Sequence, residues 1–274
     1  MTKKRATGDS AKFVQVSAAA AAYMHGMLNT RIALVTGANK GIGLEIAKGL
    51  ASRGVTVFLG ARDVAAGAAA ARSFDGGRAL HLDVCDRASI DAAAERIRTE
   101  VGRLDILVNN AGISNVKPAH VPLAEIQSAY RGSVVVIDEV RRIYETNVFG
   151  VIAVTQAMLP LLRESPAGRI VNVSSALGSL SIVGNRSSPY RSANVAYPSS
   201  KSALNAVTVA FATELEGTRI KVNAACPGHT ATDLNRFSGQ RTVQQAAREP
   251  VRLALLDDDG PTGTFSNEEG PLPW

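Results

Sequence analysis

The sequence predicts an α/β protein: a single doubly wound domain with a mostly parallel sheet flanked by helices. From Arg31 onward, short apolar stretches of strand length alternate with longer stretches that have helical spacing. The composition, 46% hydrophobic but only 5% aromatic over 274 residues, suits one large domain in which helices pack closely on a sheet.

The strand-length stretches recur along the whole chain after residue 30. They predict strands at Ile32–Thr36, Thr56–Gly60, Ala79–Asp83, Ile106–Asn109, Ile170–Ser174, Lys221–Ala224 and Gly263–Phe265. Helices are predicted between them, for example at Ile42–Ala51 and Ala88–Val101. Regular β-α-β alternation with right-handed crossovers implies parallel strands that carry helices on both faces.

Residues 1–30 differ from the rest of the chain. A basic start precedes an alanine run, and these residues supply +3 of the formal net charge of +6. We interpret them as an N-terminal extension that is either disordered or follows a misplaced start codon; a secretory signal is the less favoured alternative, because the apolar stretch is short. A single folded domain is expected to span residues 31–274.

Composition and charge argue against several other classes of protein. The sequence has no run of about 18 uncharged apolar residues, which would predict a membrane span. It also has no basic block with interleaved aromatics, which would predict a nucleic-acid surface. The two cysteines, Cys85 and Cys226, form neither a disulfide framework nor a metal-ligand pattern. We therefore expect no metal and a reducing, cytoplasmic setting.

A glycine-rich turn ends the first predicted strand. Gly37, Gly41 and Gly43 follow a G-x-x-x-G-x-G spacing, and a helix begins directly afterwards. Glycine lets the backbone approach a phosphate without an intervening Cβ, and free N–H groups at a helix start bind the phosphate. At the first strand–helix junction of a β-α-β unit, this turn predicts dinucleotide binding by a Rossmann-type domain.

The end of the second strand indicates which dinucleotide is bound. Ala61 stands where an acidic residue would bind a ribose 2′-hydroxyl, and Arg62 follows it. Arg62, together with Lys40 from the glycine turn, could pair with a 2′-phosphate, so NADP(H) is favoured over NAD(H). Asp63 leaves two alternatives open, because it could serve the ribose or cap the next helix.

Tyr197 and Lys201 lie four residues apart in a segment predicted to be helical. Positions i and i+4 share a helix face, so the phenol and the ammonium can point at one spot. A nearby ammonium favours the phenolate and lowers a tyrosine pKa from about 10 toward neutrality. Such a pair also arises by chance, so its meaning depends on the motifs around it.

Three motifs occur in order: the glycine turn, Asn109-Asn110-Ala111-Gly112 after a strand, and Tyr197-x-x-x-Lys201. In this combination the chain resembles the classical short-chain dehydrogenase/reductase family, and within it the carbonyl-reductase-like members, over roughly residues 31–274. The resemblance implies that Tyr197 donates the proton and that Lys201 lowers the tyrosine pKa and holds the nicotinamide ribose.

The same resemblance implies roles for further residues. Ser175 would polarise the substrate carbonyl, and Asn147 would support a water relay to Lys201. Asp83 and Val84 would contact the adenine. The remaining cofactor-binding positions implied by the glycine turn, by the Asn-Asn-Ala-Gly motif and by the Pro-Gly stretch are Gly37, Asn39, Lys40, Gly41, Ile42, Gly43, Asn110, Pro227, Gly228, Thr230 and Thr232.

Two segments are longer than the family pattern. Gln127–Val140 is the predicted insertion between Asn109 and Asn147, and the stretch from Ser175 to Tyr197 is also long. In carbonyl-reductase-like members, similar lengthening lies beside the substrate mouth. Because the insertion approaches a helix that often forms the family's dimer face, a monomer or homodimer is expected rather than the usual tetramer.

These residues predict an NADPH-dependent oxidoreductase that reduces a ketone or aldehyde reversibly to an alcohol. Its partner would be a small carbonyl or alcohol substrate, whose identity the sequence does not specify. The alternative is a catalytically silent NADP(H)-binding regulator or scaffold of the same fold.

Overall fold

The structure is a computed structural model that describes residues 30–118 and 120–274. The predicted N-terminal extension therefore lies outside the described residues, apart from Thr30. The described chain from Arg31 to Trp274 forms one compact unit.

Eight strands in the described residues form one sheet. Its order is β3-β2-β1-β4-β5-β6-β7-β8, and all neighbours are parallel except the last pair. The doubly wound, mostly parallel sheet predicted from the sequence is confirmed. The strands are β1 (Ile32–Thr36), β2 (Thr56–Ala61), β3 (Gly77–His81), β4 (Ile106–Asn109), β5 (Arg169–Val173), β6 (Lys221–Ala225), β7 (Phe265–Asn267) and β8 (Gly270–Pro271).

Helices connect the strands and cover both faces of the sheet. A π-helical turn, Glu145–Phe149, joins α5 to α6 without a break, and short 3₁₀ turns lie at Ala176–Gly178 and Asp233–Asn235. The α-helices are α1 (Gly41–Ala51), α2 (Val64–Ala71), α3 (Arg87–Val101), α4 (Leu123–Ala129), α5 (Ile137–Tyr144), α6 (Gly150–Arg163), α7 (Leu180–Gly184), α8 (Ala196–Glu214) and α9 (Val243–Ala254).

Five of the predicted strands differ in their bounds, those of β2, β5 and β6 by one residue. The larger differences, in β3 and β7, follow from strand pairing. β3 begins at Gly77 and ends at His81, two residues earlier than predicted, since Val57 to Ala61 of β2 pair in register with Gly77 to His81. β7 is Phe265–Asn267 rather than Gly263–Phe265, and it turns back into the unpredicted strand β8.

The core consists of two apolar layers, one on each face of the sheet. Side chains alternate along a strand, so Ile32 and Leu34 of β1 enter one layer while Ala33 and Val35 enter the other. The helices α3, α6 and α8 contribute to the first layer, and α1, α2 and α9 to the second.

The predicted insertion, Gln127–Val140, runs from the end of α4 through a connection into α5. A separate apolar cluster forms here around Ile126, Tyr130, Ile143 and Ala196. The insertion is therefore packed against the start of α8, the helix that carries Tyr197.

One helical stretch in the described part of the chain, Ile137–Arg163, is long and apolar enough to cross a membrane by length and composition alone. More than half of its most apolar window is buried inside this domain. A helix packed in a protein core passes the same test.

Candidate active site

The site lies at the carboxyl edge of the sheet, where the strand order reverses. β1 pairs with β2 on one side and with β4 on the other, so the connections after β1 and β4 diverge and leave a crevice. Ligands of doubly wound sheets bind at such switch points. The glycine turn follows β1, and Asn110 follows β4, so both predicted cofactor motifs meet here.

The glycine turn needs glycine at the predicted positions. Gly37 has φ +63°, and a Cβ there would lie 3.0 Å from the Ala111 Cα. A Cβ on Gly43 would lie 2.4 Å from the Asn110 side-chain nitrogen. Gly41 has φ +60°, and only the Thr232 methyl group, at 4.0 Å, comes near its Cβ position. Gly37 and Gly43 permit close packing of the turn, while Gly41 leaves open space beside it.

The start of α1 suits an anion. Lys40 precedes the helix without a side-chain cap, and the first turn contains no acidic residue. The first backbone N–H groups of a helix have no intrahelical partner and carry the positive end of its dipole. Together with the space beside Gly41, this arrangement fits the pyrophosphate of a dinucleotide.

Asn110 contacts the backbone of the turn. Its side-chain amide donates to the carbonyl oxygens of Thr36 and Gly37, at 2.9 and 3.2 Å. The Thr36 hydroxyl in turn accepts from the backbone N–H groups of Asn110 and Ala111. Both residues shape the turn, and Thr36 is one that the sequence motifs did not single out.

The side chains after β2 separate the two alternatives for Asp63. Its carboxylate accepts from the backbone N–H of Ala66 at 2.9 Å and caps α2. Arg62, the neighbouring residue, is exposed at the end of the strand. Lys40 forms an ion pair of 2.7 Å with Asp233, in the segment that follows the Pro-Gly stretch.

Asp83 and Val84 follow β3 at the same edge. The Asp83 carboxylate accepts from the backbone N–H of Cys85 at 3.0 Å, and its own N–H donates to the Ser89 hydroxyl at 2.9 Å. Val84 is buried, and its carbonyl lies close to Gly150, where a Cβ would approach it to 2.8 Å. The turn after β3 is thus fixed by hydrogen bonds within residues 83–89 and by close packing against Gly150 of α6.

Tyr197 and Lys201 share one face of α8, as their spacing predicts. The Lys201 ammonium lies 5.8 Å from the centre of the Tyr197 ring and donates to the Val173 carbonyl at 2.8 Å. Lys201 is only 4% exposed. Its contact with the tyrosine is therefore with the ring, and its hydrogen bond anchors it to the end of β5.

Burial dominates the ionisation of this pair. It raises the pKa of Tyr197 above its ordinary value, and a hydrogen bond with the Ser175 side chain opposes this effect. Burial also lowers the pKa of Lys201, from an ordinary 10.5 to about 8. Burial thus favours the neutral phenol, the form from which a proton donor acts.

Ser175 begins the 3₁₀ turn after β5. Its hydroxyl accepts from the backbone N–H of Leu177 at 3.2 Å. The backbone N–H of Ala176, the residue after Ser175, donates to the Cys226 thiol at 3.1 Å. The turn after β5 therefore places the Ser175 side chain within hydrogen-bond distance of Tyr197, and the two predicted site residues lie together.

Asn147 lies in the π-helical turn and is fully buried. Its side-chain nitrogen donates to the Ile113 carbonyl at 2.8 Å and to the Ser200 hydroxyl at 3.0 Å. Its side-chain oxygen accepts from the Ile113 N–H at 2.9 Å. Ser200 donates to the Tyr197 carbonyl at 2.7 Å, which links Asn147 to α8.

Ser200 is a site residue that the sequence motifs missed. The available signal was a hydroxyl within the Tyr197–Lys201 run, at a position that the structure shows to be buried. Nothing in that run distinguishes Ser200 from Ser199, whose hydroxyl donates to backbone carbonyls of the preceding turn.

The Pro-Gly stretch after β6 forms the opposite wall. Gly228 has φ +75°, and a Cβ there would lie 2.6 Å from the Arg241 side chain. The buried Thr230 hydroxyl donates to the carbonyl of Pro227 or of Gly228, each at 3.2 Å. The Thr232 backbone N–H donates to the Asn235 side-chain oxygen at 3.2 Å, and the Thr232 methyl group faces Gly41 of the glycine turn. No cluster of three or more His, Cys, Asp or Glu side chains suitable for a metal ion occurs among the residues that the structure describes.

Comparison with known proteins identifies the family. A family model described as short chain dehydrogenase matches residues 31–242. The chain belongs to the short-chain dehydrogenase/reductase family. It is therefore an oxidoreductase of the short-chain type, and the resemblance drawn from the motifs is confirmed.

Several short-chain relatives are similar over most of their length. (+)-Neomenthol dehydrogenase of Capsicum annuum is 35% identical over 301 residues, which cover 86% of this chain and 95% of the relative. Carbonyl reductase (NADPH) 1 of Sus scrofa is 32% identical over 295 residues, which cover 90% and 95%. The solved structure of salutaridine reductase from Papaver somniferum has a TM-score of 0.72 and 31% identity, covering 86% of this chain and 99% of that one.

Proposed function

We propose that this short-chain enzyme reduces a ketone or aldehyde to an alcohol with NADPH, reversibly, and that Tyr197 donates the proton. One arrangement carries the proposal: the Tyr197 phenol is hydrogen-bonded to Ser175 and lies beside Lys201, next to a glycine turn shaped for a dinucleotide. Similarity to a carbonyl reductase and to a salutaridine reductase supports the carbonyl substrate.

The chemistry assigns a role to each side chain. When bound, the cofactor supplies the hydride that is added to the carbonyl carbon. Negative charge then develops on the carbonyl oxygen, so a hydrogen-bond donor and a proton are needed there. Ser175 donates the hydrogen bond, and Tyr197 transfers its proton to that oxygen. Lys201 would hold the nicotinamide ribose, and Asn147 holds the helix turn that supports the lysine.

A preference for NADP(H) over NAD(H) is part of this proposal. Asp63 caps α2 through one carboxylate oxygen, so its place after β2 has a structural reason that needs no ribose hydroxyl. Arg62 remains exposed beside it and can pair with a 2′-phosphate. Lys40 can also bind the 2′-phosphate if its ammonium leaves Asp233 or bridges Asp233 and the phosphate.

The test follows NADPH absorbance with a panel of ketones and aldehydes. The wild type should oxidise NADPH with at least one carbonyl compound, and Tyr197→Phe should lower the rate by about 10²-fold or more. Tyr144→Phe removes a phenol hydroxyl from α5 instead and serves as the matched control. Full activity of Tyr197→Phe would refute the assignment of the proton donor.

Absence of turnover across the panel, combined with tight NADPH binding, would instead support the alternative function as a silent NADP(H)-binding regulator.

We also propose a cytoplasmic protein, a monomer or homodimer, that binds no nucleic acid or membrane. The two described cysteines, Cys85 and Cys226, are both free, which supports a reducing compartment. Size-exclusion chromatography with light scattering tests the oligomeric state.

A further inference from the structure

The backbone that precedes Tyr197 is held by one side chain. The Asn194 side-chain oxygen accepts from the backbone N–H groups of Ala196 and Tyr197, at 2.9 and 3.3 Å. Since α8 begins at Ala196, these are N–H groups that no earlier turn of the helix can satisfy. Asn194 therefore acts as the cap of the catalytic helix and bonds the tyrosine's own backbone.

Asn194 is in turn held by the inserted segment, Gln127–Val140. Arg131, within the insertion, forms an antiparallel bridge with Asn194. The next N–H, that of Val195, donates to the Tyr130 carbonyl at 2.9 Å. The place of Asn194 is thus determined by a segment that lies far from it in the sequence.

Tyr130 is well placed for this role, because it is fully buried. Its hydroxyl accepts from the backbone N–H of Val116 at 3.0 Å, which ties the insertion to the loop after β4. The insertion therefore connects the loop after the Asn-Asn-Ala-Gly motif with the turn that precedes Tyr197.

The Tyr197 backbone is also held on its other side. Its carbonyl accepts from the Ser200 hydroxyl at 2.7 Å, and Ser200 accepts from Asn147. Both the N–H and the carbonyl of the proton donor thus carry side-chain hydrogen bonds. Proton transfer is sensitive to such placement, since a misplacement of about 1 Å can cost about 10²-fold in rate.

We propose that Asn194 is a positioning residue for Tyr197: its side chain, seated by the inserted segment, sets where the phenol meets the substrate oxygen. The inference rests on the proposed function, because the placement of Tyr197 matters only if Tyr197 delivers the proton. Asn194 itself contacts backbone groups and takes no direct part in the chemistry.

The experiment compares Asn194→Ala with Asn194→Asp, which keeps an acceptor oxygen at the same place and caps helices about as well as asparagine. Asn267→Ala is the matched control, because the Asn267 side chain also accepts from two backbone N–H groups, in the turn between β7 and β8. For each protein, kcat and KM are measured with one carbonyl substrate at saturating NADPH, along with the NADPH Kd and the solvent deuterium isotope effect on kcat.

Asn194→Ala should lower kcat by about tenfold, with KM and the NADPH Kd within about twofold of wild type, and should raise the solvent isotope effect as proton transfer becomes slower. Asn194→Asp should restore most of kcat, and Asn267→Ala should behave as wild type. If Asn194→Ala does not fold, Asn194→Gln, whose oxygen lies one methylene further out, should show the same pattern in weaker form.

Two results would overturn the inference alone: an unchanged kcat in Asn194→Ala, or a kcat that falls only in proportion to the folded fraction with an unaltered isotope effect. In both, the wild type is active and Tyr197→Phe is not, so the proposed function stands. A wild type that reduces no carbonyl compound, or a fully active Tyr197→Phe, removes the proposed function and this inference together.

Discussion

Lys201 offers the sharpest test of the buried site, because its charge is costly. The lysine is 4% exposed, and burial lowers its pKa from 10.5 to about 8. At about 1.4 kcal/mol per pKa unit, the folded protein disfavours the ammonium by ~3 kcal/mol. Replacing Lys201 with methionine removes this charge while keeping a long, unbranched side chain.

The sign of the effect follows from proton binding. Between pH 8 and 10.5 the unfolded chain keeps the lysine proton and the folded chain has lost it, so stability rises with pH. The cost is fully present below pH 8 and is relieved toward pH 10.5. Relative to Lys201→Met, the wild type should therefore gain about 2 kcal/mol of unfolding free energy between pH 7 and pH 10.

Urea unfolding followed by far-UV circular dichroism, at unit steps from pH 7 to pH 10, measures this difference. Apart from Cys226, whose pKa Lys201 lowers, the other titrating groups are shared by the two proteins, so their effects cancel in the comparison. The hydrogen bond from Lys201 to Val173 is also lost in the variant, which offsets the curves without this pH dependence. A difference that stays constant across the range would refute the assignment of a buried, costly ammonium.

Two further predictions concern the cofactor site. Arg62→Ala should weaken NADP⁺ binding by about tenfold or more and leave NAD⁺ binding near wild type, as calorimetric titration measures. Asp63→Ala should cost about 1 kcal/mol of stability in urea unfolding without changing the ratio of the two affinities. A changed ratio in Asp63→Ala would contradict its role as a cap. Gly37→Ala should lose cofactor binding, because its Cβ would lie 3.0 Å from the Ala111 Cα. Gly54→Ala, with φ +79° and no atom within 4 Å of the Cβ position, should cost only about 1 kcal/mol of backbone strain and keep binding; equal loss of binding in both would show that the contact with Ala111 is unimportant.

The features that the sequence predicted correctly are local ones. β1 and β4 have the predicted bounds, because each is a short apolar run between turn residues. Tyr197 and Lys201 share a helix face because four residues make about one turn. The boundaries of β3 were wrong by two residues, since the pairing with β2, and not the apolar run itself, sets where that strand begins.

Several side chains make contacts that the sequence either left open or did not indicate. The Asn110 amide bonds the glycine turn, and Asp63 caps a helix, although either could have faced the cofactor. Ser200 and Asn194 carry hydrogen bonds to the Tyr197 backbone, yet neither stands in a distinctive pattern. Polar side chains have several possible partners within reach, and only the packed chain selects one.

The sequence by itself determined the fold class, the phosphate-binding turn and the pairing of Tyr197 with Lys201, because periodicity and glycine placement act over a few residues. Only the tertiary structure shows how burial acts on that pair. Spacing predicts an ammonium that lowers the tyrosine pKa, whereas burial raises the pKa of Tyr197 and lowers that of Lys201 to about 8. Desolvation depends on every segment that packs around a group, so no local pattern contains it.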